Sequence, residues 1–248
     1  MGEPGRFIWH ELATTDLKRA KSFYKALMGW RFEAMKGAGG TYTVIHAGER
    51  GIGGMVPCGE GAPSQWTAYV SVDDVDAAVR RGESAVGKTL VPPTTIPTVG
   101  RFALMADPSG AGIMPFVPDG PDQPEPAPPP RGTVRWNELY THDAAAALRF
   151  YQAVFAWGHG AMDMGAAGVY HLFKRAGKDV GGMMELPAAA LPRSVWVPYF
   201  VVASVDDSLA KALERGATQR LPPHTAPDVG RFAIVVDPFS ATFGLFEG

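Results

Sequence analysis

The residues in this chain best suited to chemistry are two tryptophan–glutamate pairs, Trp9 with Glu11 in WHEL and Trp136 with Glu138 in WNEL. Members of each pair are two residues apart, so in a β-strand both side chains project from the same face. A large π surface beside a carboxylate can serve three ends. It can stack a flat or apolar ligand while the carboxylate accepts hydrogen bonds or meets a cation. A buried carboxylate can also act as a proton-transfer base. Alternatively, the indole fills the space and the glutamate forms an ion pair with Arg101 or Arg231, closing the site. Some partner is required in every case, because an unpaired buried carboxylate is costly.

The pairs recur because the sequence recurs. Residues 7–24, FIWHELATTDLKRAKSFY, match residues 134–151, VRWNELYTHDAAAALRFY, at eight of eighteen positions. All six tryptophans pair off in order, Trp9 with Trp136, Trp30 with Trp157 and Trp66 with Trp196, at an offset drifting from 127 to 130. GGM, PP, VGRFA and DP recur in the same order, a colinear series that marks a duplication. Between the copies lies PDGPDQPEPAPPP, whose prolines favour an extended, polyproline-like spacer.

Each copy must hold its pair on a strand. RFIWHEL reads as that strand. Asp16 suits the N-cap of a helix whose stripe is Leu17, Ala20, Phe23, Tyr24 and Leu27, ending at Gly29; Asp143 heads its counterpart. TYTVIHA and GIGGMVP follow as strands. WTAYVSV opens a second round, a helix enters through Asp73 or Asp74, and RFALMAD and GIMPFVP close with a hairpin around DPSG. Alternation turns Tyr69 and Tyr199 toward the same side as the Trp–Glu pairs and sends Trp66 and Trp196 beneath helices. Tyr42, Met55 and Arg101, with Tyr170, Met183 and Arg231, are further candidates for that side.

The totals narrow the partners. The 248 residues carry a net charge of −2 with no basic cluster, which argues against nucleic acid or an anionic membrane surface. No apolar run reaches membrane-spanning length and the N-terminus lacks a signal-peptide core. Cys58 is the only cysteine, so thiolate zinc sites are excluded. A cytoplasmic location is expected.

The order βαβββ, twice per copy, resembles the vicinal oxygen chelate superfamily of glyoxalase-like, bleomycin-resistance and extradiol-dioxygenase proteins. The stretches that carry the resemblance are WHELATTDLKRAKSFYKALMGW, VDDVDAA and FALMADPSGAGIMPF, with WNELYTHDAAAALRFYQAVFAW, SVDDSLA and FAIVVDPFSATFGLF. It implies an α+β fold of two tandem glyoxalase-like domains. Each would fold two βαβββ modules into an eight-stranded curved cup with helices outside. The expected domains are 1–117 and 132–248, joined by linker 118–131 and packed as an intrachain pseudo-dimer.

Family enzymes hold a divalent metal on the cup floor, where it polarises substrate oxygens. The resemblance puts ligand positions on Trp9, Thr67 and Met114, and on Trp136, Val197 and Gly244; tryptophan, valine, methionine and glycine do not bind such cations. His10 neighbours Trp9, but alternation turns it to the helices, and its counterpart is Asn137. Glu247 reaches the site only if its strand is out of register by an odd number. None of the six histidines has a histidine partner in the other copy. No cofactor is therefore expected, while a divalent ion held by unfamiliar residues stays open.

The expected function is binding of a small aromatic or amphipathic molecule by Trp9, Glu11, Tyr42, Met55, Tyr69 and Arg101, and by their counterparts in the second copy. The alternatives are a lyase or isomerase using Glu11 or Glu138 as base, a metalloenzyme with displaced ligands, and a scaffold with both cups filled by side chains.

Overall fold

The computed structural model describes residues 4–37, 40–120, 128–165, 168–187, 189–190 and 193–248. Most of the proline-rich spacer, 121–127, lies outside the described residues. The first copy runs β1 (Phe7–Thr14), α1 (Leu17–Met28), β2 (Arg31–Gly37), β3 (Gly40–Ala47), β4 (Arg50–Pro57), β5 (Gln65–Ser71), α2 (Val75–Ser84), β6 (Lys88–Ile96), β7 (Gly100–Ala106) and β8 (Gly112–Pro118). The second runs β9 (Val134–Thr141), α3 (Ala144–Phe155), β10 (Gly158–Asp163), β11 (Val169–Arg175), β12 (Lys178–Glu185), β13 (Val195–Val201), α4 (Val205–Glu214), β14 (Thr218–Ala226), β15 (Gly230–Val236) and β16 (Thr242–Glu247). Each copy makes one eight-stranded mixed sheet, in the orders β2-β3-β4-β1-β5-β8-β7-β6 and β10-β11-β12-β9-β13-β16-β15-β14. The fold is α+β, two tandem glyoxalase-like sheets with four helices, as the element order implies.

The helices start where the sequence caps them. Asp16 accepts a hydrogen bond from the Arg19 amide at 3.0 Å, Asp143 from Ala146 at 2.8 Å, and Asp74 rather than Asp73 from Ala77 at 2.9 Å. Gly29 ends α1 in the left-handed region at φ 73°, but Ala156 occupies the equivalent place after α3 at φ 55°. The reverse asymmetry follows α2. There Val86 has φ 66° where the second copy has Gly216 at φ 87°. A β-branched residue is strained in this conformation, and left-handed backbone costs an L-residue about 1–2 kcal/mol. Val86 is largely exposed, so its side chain offsets little of this. Val86→Gly is expected to stabilise the protein by about 1 kcal/mol, read as a raised denaturation midpoint.

The cores divide the chain differently from the sheets. Among the described residues, one unit draws on the stretches 4–8, 68–120 and 136–196, and the other on 9–67, 128–135 and 197–248. Each unit takes one βαβββ module from each sequence copy. In the first, α2 packs on α3, and Val70, Val79 and Met105 share a core with Leu139, Tyr151, Trp157 and Trp196. In the second, α1 packs on α4, and Leu12, Tyr24, Trp30 and Trp66 share a core with Phe200, Leu209 and Phe243. Aromatic rings dominate both: Tyr24 stacks on Trp30 at 5.2 Å, and Tyr151 on Trp157 at 6.0 Å.

Four tryptophans are anchored by their indole N–H groups. Trp30 donates to the Gly132 carbonyl at 2.9 Å and Trp157 to the Gly5 carbonyl at 2.8 Å. Trp66 donates to the Tyr24 hydroxyl, which in turn donates to Asp237 at 3.0 Å. Trp196, Tyr151 and Asp107 repeat the arrangement, with the last step at 3.1 Å. Both aspartates belong to the DP turns. The other oxygen of Asp107 accepts from the Ser109 and Ala111 amides, and that of Asp237 from Phe239 and Ala241. Burial raises both carboxyls above the usual aspartate value, and each is matched by three donors.

Candidate functional site

The two tryptophans left over, Trp9 and Trp136, lie on the side of their sheets away from the helices. Leu12 is fully buried in the helix-side core, so alternation turns Glu11 and Trp9 to the opposite face. Ile45 of β3 also packs in that core, which places Tyr42 with Glu11 and Trp9. The Trp9 indole N–H donates to the Tyr42 hydroxyl at 3.0 Å, and that hydroxyl donates to the Glu11 carboxylate. Trp136 donates to Tyr170 at 3.0 Å and Tyr170 to Glu138. Tyr140 adds a second hydroxyl to Glu138, at 2.7 Å.

Burial, followed by the adjacent glutamate charge, pushes the pKa of Tyr42 and Tyr170 far up. Both phenols therefore stay protonated at neutral pH and act as donors, not as phenolate bases. Glu11 and Glu138 are 9% and 6% exposed, whereas Trp9 and Trp136 are half-buried. Each site thus presents part of an indole to solvent and holds an oriented carboxylate behind it.

Two glycines make the arrangement possible. Gly54 registers with Glu11 across β4 and β1, and Gly182 with Glu138 across β12 and β9. A Cβ on Gly54 would fall 1.8 Å from the Tyr42 hydroxyl, and one on Gly182 would fall 1.9 Å from that of Tyr170. The repeated GGM is therefore the floor on which each tyrosine lies. That repeat was the signal in the sequence that could have revealed these residues.

The other candidates divide. Tyr69 and Tyr199 do face away from the helix-side core, Tyr69 against Phe102 and Phe116 and Tyr199 against Phe232. Trp66 and Trp196 lie beneath helices as expected. Met55 and Met183 do not share the site's face; they register with Leu12 and Leu139 and are fully buried in the helix-side cores. Arg101 and Arg231 also belong to the helix side. Arg101 shares its strand face with Ala103 and Met105 and chelates Asp76 at 2.8 and 2.9 Å. Arg231 chelates Asp206 at 2.8 Å through both nitrogens. These arginines tie strands to helix N-termini, and beside each glutamate stands a tyrosine rather than Arg101 or Arg231, the partners that one of the alternative readings offered. Glu247 likewise accepts from the Val205 amide at the start of α4. Sequence reasoning also passed over a pair confined to the first copy, His46 Nε2 at 3.1 Å from Glu33.

The donor set does not fit the family metal. Met114 registers with Tyr69, and a side chain on Gly244 would strike the Tyr199 ring at 2.2 Å. With Trp9 and Trp136 at the first position, these residues supply no set of nitrogen or oxygen ligands. Among the described residues no group of three or more His, Cys, Asp or Glu side chains could hold an ion. No helix among them is long and apolar enough to cross a membrane.

Repeat, topology and site define a class. The chain belongs to the Glyoxalase/Bleomycin resistance protein/Dioxygenase superfamily, whose family model matches residues 6–114. It is similar to "Putative glyoxylase CFP32" of Mycobacterium tuberculosis, 34% identical over 96% of this chain and 93% of that protein. It is also similar to "Anthracycline biosynthesis protein DnrV" of Streptomyces peucetius, 31% identical over 98% of this chain and 94% of that one. Among solved structures, the 2,2',3-trihydroxybiphenyl 1,2-dioxygenase of Sphingomonas wittichii superposes with a TM-score of 0.66 at 14% identity, covering 99% of this chain and 91% of that chain. The Mn(II)-bound glyoxalase of Novosphingobium aromaticivorans gives 0.65 at 15%, covering 100% and 83%. At these identities the two structures show the fold alone.

Proposed function

We propose that the protein binds a small, flat, hydroxylated aromatic molecule at Trp9–Tyr42–Glu11 and again at Trp136–Tyr170–Glu138, without the family metal. The observation that carries this reading is the relay itself. The indole N–H is tied to tyrosine, so the ring is fixed edge-on and its face serves as a stacking surface. The tyrosine proton points at glutamate, a carboxylate with acceptor capacity for several hydrogen bonds, so a ligand hydroxyl has an oriented acceptor beside the stacking face. The relatives named for anthracycline biosynthesis support a ligand of this kind, since an anthracycline carries a flat hydroxylated chromophore. Donors aimed at glutamate match an ionised acceptor better than a proton-transfer base, which favours binding over acid–base catalysis.

The test is tryptophan fluorescence quenching by a hydroxylated anthraquinone such as alizarin, with a chelator present. Saturable quenching is expected. Glu11→Gln should weaken the first-copy site by about tenfold or more, since a hydrogen bond to a charged group contributes about 1.5–3 kcal/mol. Quenching without saturation, or unchanged in both Glu11→Gln and Glu138→Gln, would sink the proposal.

A further inference from the structure

We propose that His159 and His171 form a two-imidazole binding site for a borderline divalent ion such as Zn²⁺ or Ni²⁺, on β10 and β11 and separate from the tryptophan–glutamate sites. Strand pairing sets Ala161 opposite His171 and His159 opposite Phe173, so the histidines are diagonal neighbours on one face. His159 Nε2 lies 2.9 Å from His171 Nδ1, with the rings stacked at 5.2 Å and 27° apart. A tetrahedral ion about 2.0–2.1 Å from each imidazole nitrogen would hold the two nitrogens roughly 3.3 Å apart. The pair therefore has to open by only about 0.4 Å to take the ion in place of the shared proton.

The surroundings suit this exchange. β10 is the outermost strand of its sheet and His159 is exposed, so water can complete the coordination shell. Imidazole nitrogens suit zinc, nickel and copper, and the neutral ring is the form that binds. Burial, then the neighbouring His159, lowers the pKa of His171, with Glu185 pulling the other way. The Glu185 carboxylate contributes negative charge nearby and is itself held by the Ala144 amide at 2.8 Å. The first copy has no equivalent: the matching register pairs Phe32 with Ile45 on β2 and β3, and Thr43 stands where the second copy has His171. The site therefore predicts one ion per chain, not two.

The experiment uses untagged, chelator-stripped protein titrated with Zn²⁺ and with Ni²⁺ by calorimetry, together with imidazole ¹⁵N NMR of the wild type. Binding of one ion per chain is expected, perturbing the rings of His159 and His171. His159→Ala and His171→Ala should each lose saturable binding, while His224→Ala, on another strand, retains it. His159 is exposed on an edge strand, so its variant folds even if His171→Ala does not. Binding that survives His159→Ala, ring perturbations confined to other histidines, or no binding at all would each overturn the assignment. The aromatic site is assayed with a chelator present, so the two proposals fail independently.

Discussion

Replacing Asp107 with leucine is expected to destabilise the protein by about 3–5 kcal/mol, because three donors, two of them in buried bonds, lose one acceptor together. Its two oxygens take the Ser109 amide at 2.8 Å, the Ala111 amide at 2.9 Å and the Tyr151 hydroxyl at 3.1 Å. Tyr151 also receives the Trp196 indole at 2.8 Å, so the loss reaches the centre of the aromatic core. An unsatisfied buried donor costs about 1–3 kcal/mol, partly offset here because the carboxylate is no longer desolvated. Asp107→Asn separates the two effects. It keeps a carbonyl for the amides and should cost about 1 kcal/mol or less. It should also flatten the pH dependence. Burial raises the Asp107 carboxyl in the folded state, so its stabilising contribution is present below the ordinary aspartate pKa and is lost as pH rises through the raised value. Urea midpoints across the acid range would check both variants. Equal midpoints for leucine and asparagine would show that the donors are satisfied in another way. Asp237→Leu should act alike in the other unit, through Phe239, Ala241 and Tyr24.

The second large effect concerns the site. Gly54→Ala places a methyl carbon 1.8 Å from the Tyr42 hydroxyl, a separation that no two such atoms can share, so the ring must leave. Trp9 and Glu11 then lose the hydroxyl that joins them. Loss of that relay removes about 1–3 kcal/mol of organisation, which corresponds to a roughly 5–150-fold weaker first-copy site. The second-copy site should be untouched, because Gly182 and Tyr170 are unaltered. Alizarin titration of Gly54→Ala should therefore retain one class of site at wild-type affinity, and Gly182→Ala should retain the other. Full affinity at both sites in both variants would show that the relay does not form the binding surface. The whole fold is not at risk in this test, since Tyr42 is half-buried on the face away from the aromatic cores.

The contrast between these experiments follows from four relays built on one plan. Trp66–Tyr24–Asp237 and Trp196–Tyr151–Asp107 are wholly inside the cores. Trp9–Tyr42–Glu11 and Trp136–Tyr170–Glu138 are half open. Identical chemistry stabilises in the first case, where no ligand can reach it, and presents a surface in the second.

Much of this was determined by the sequence alone. Duplication was visible in the six paired tryptophans, α1, α2 and α3 began at their capping aspartates, and period-two alternation put Trp9 beside Glu11 and turned Tyr69 and Tyr199 to the same side. These are local properties, set by φ/ψ preferences and strand geometry over a few residues. What needed the tertiary structure was every choice of partner across distance. Arg101 could neutralise Glu11 or Asp76, and pairing decided for Asp76 because Arg101 shares its strand face with Ala103 and Met105. Met55 could line the site or the core, and its register with Leu12 decided for the core. Tyr42 reaches Glu11 only because β3 lies beside β4 and Gly54 leaves room for its hydroxyl. The meeting of His159 with His171 depends likewise on a strand register. Register is fixed by which faces bury apolar surface over whole sheets, and no short stretch of this sequence contains that information.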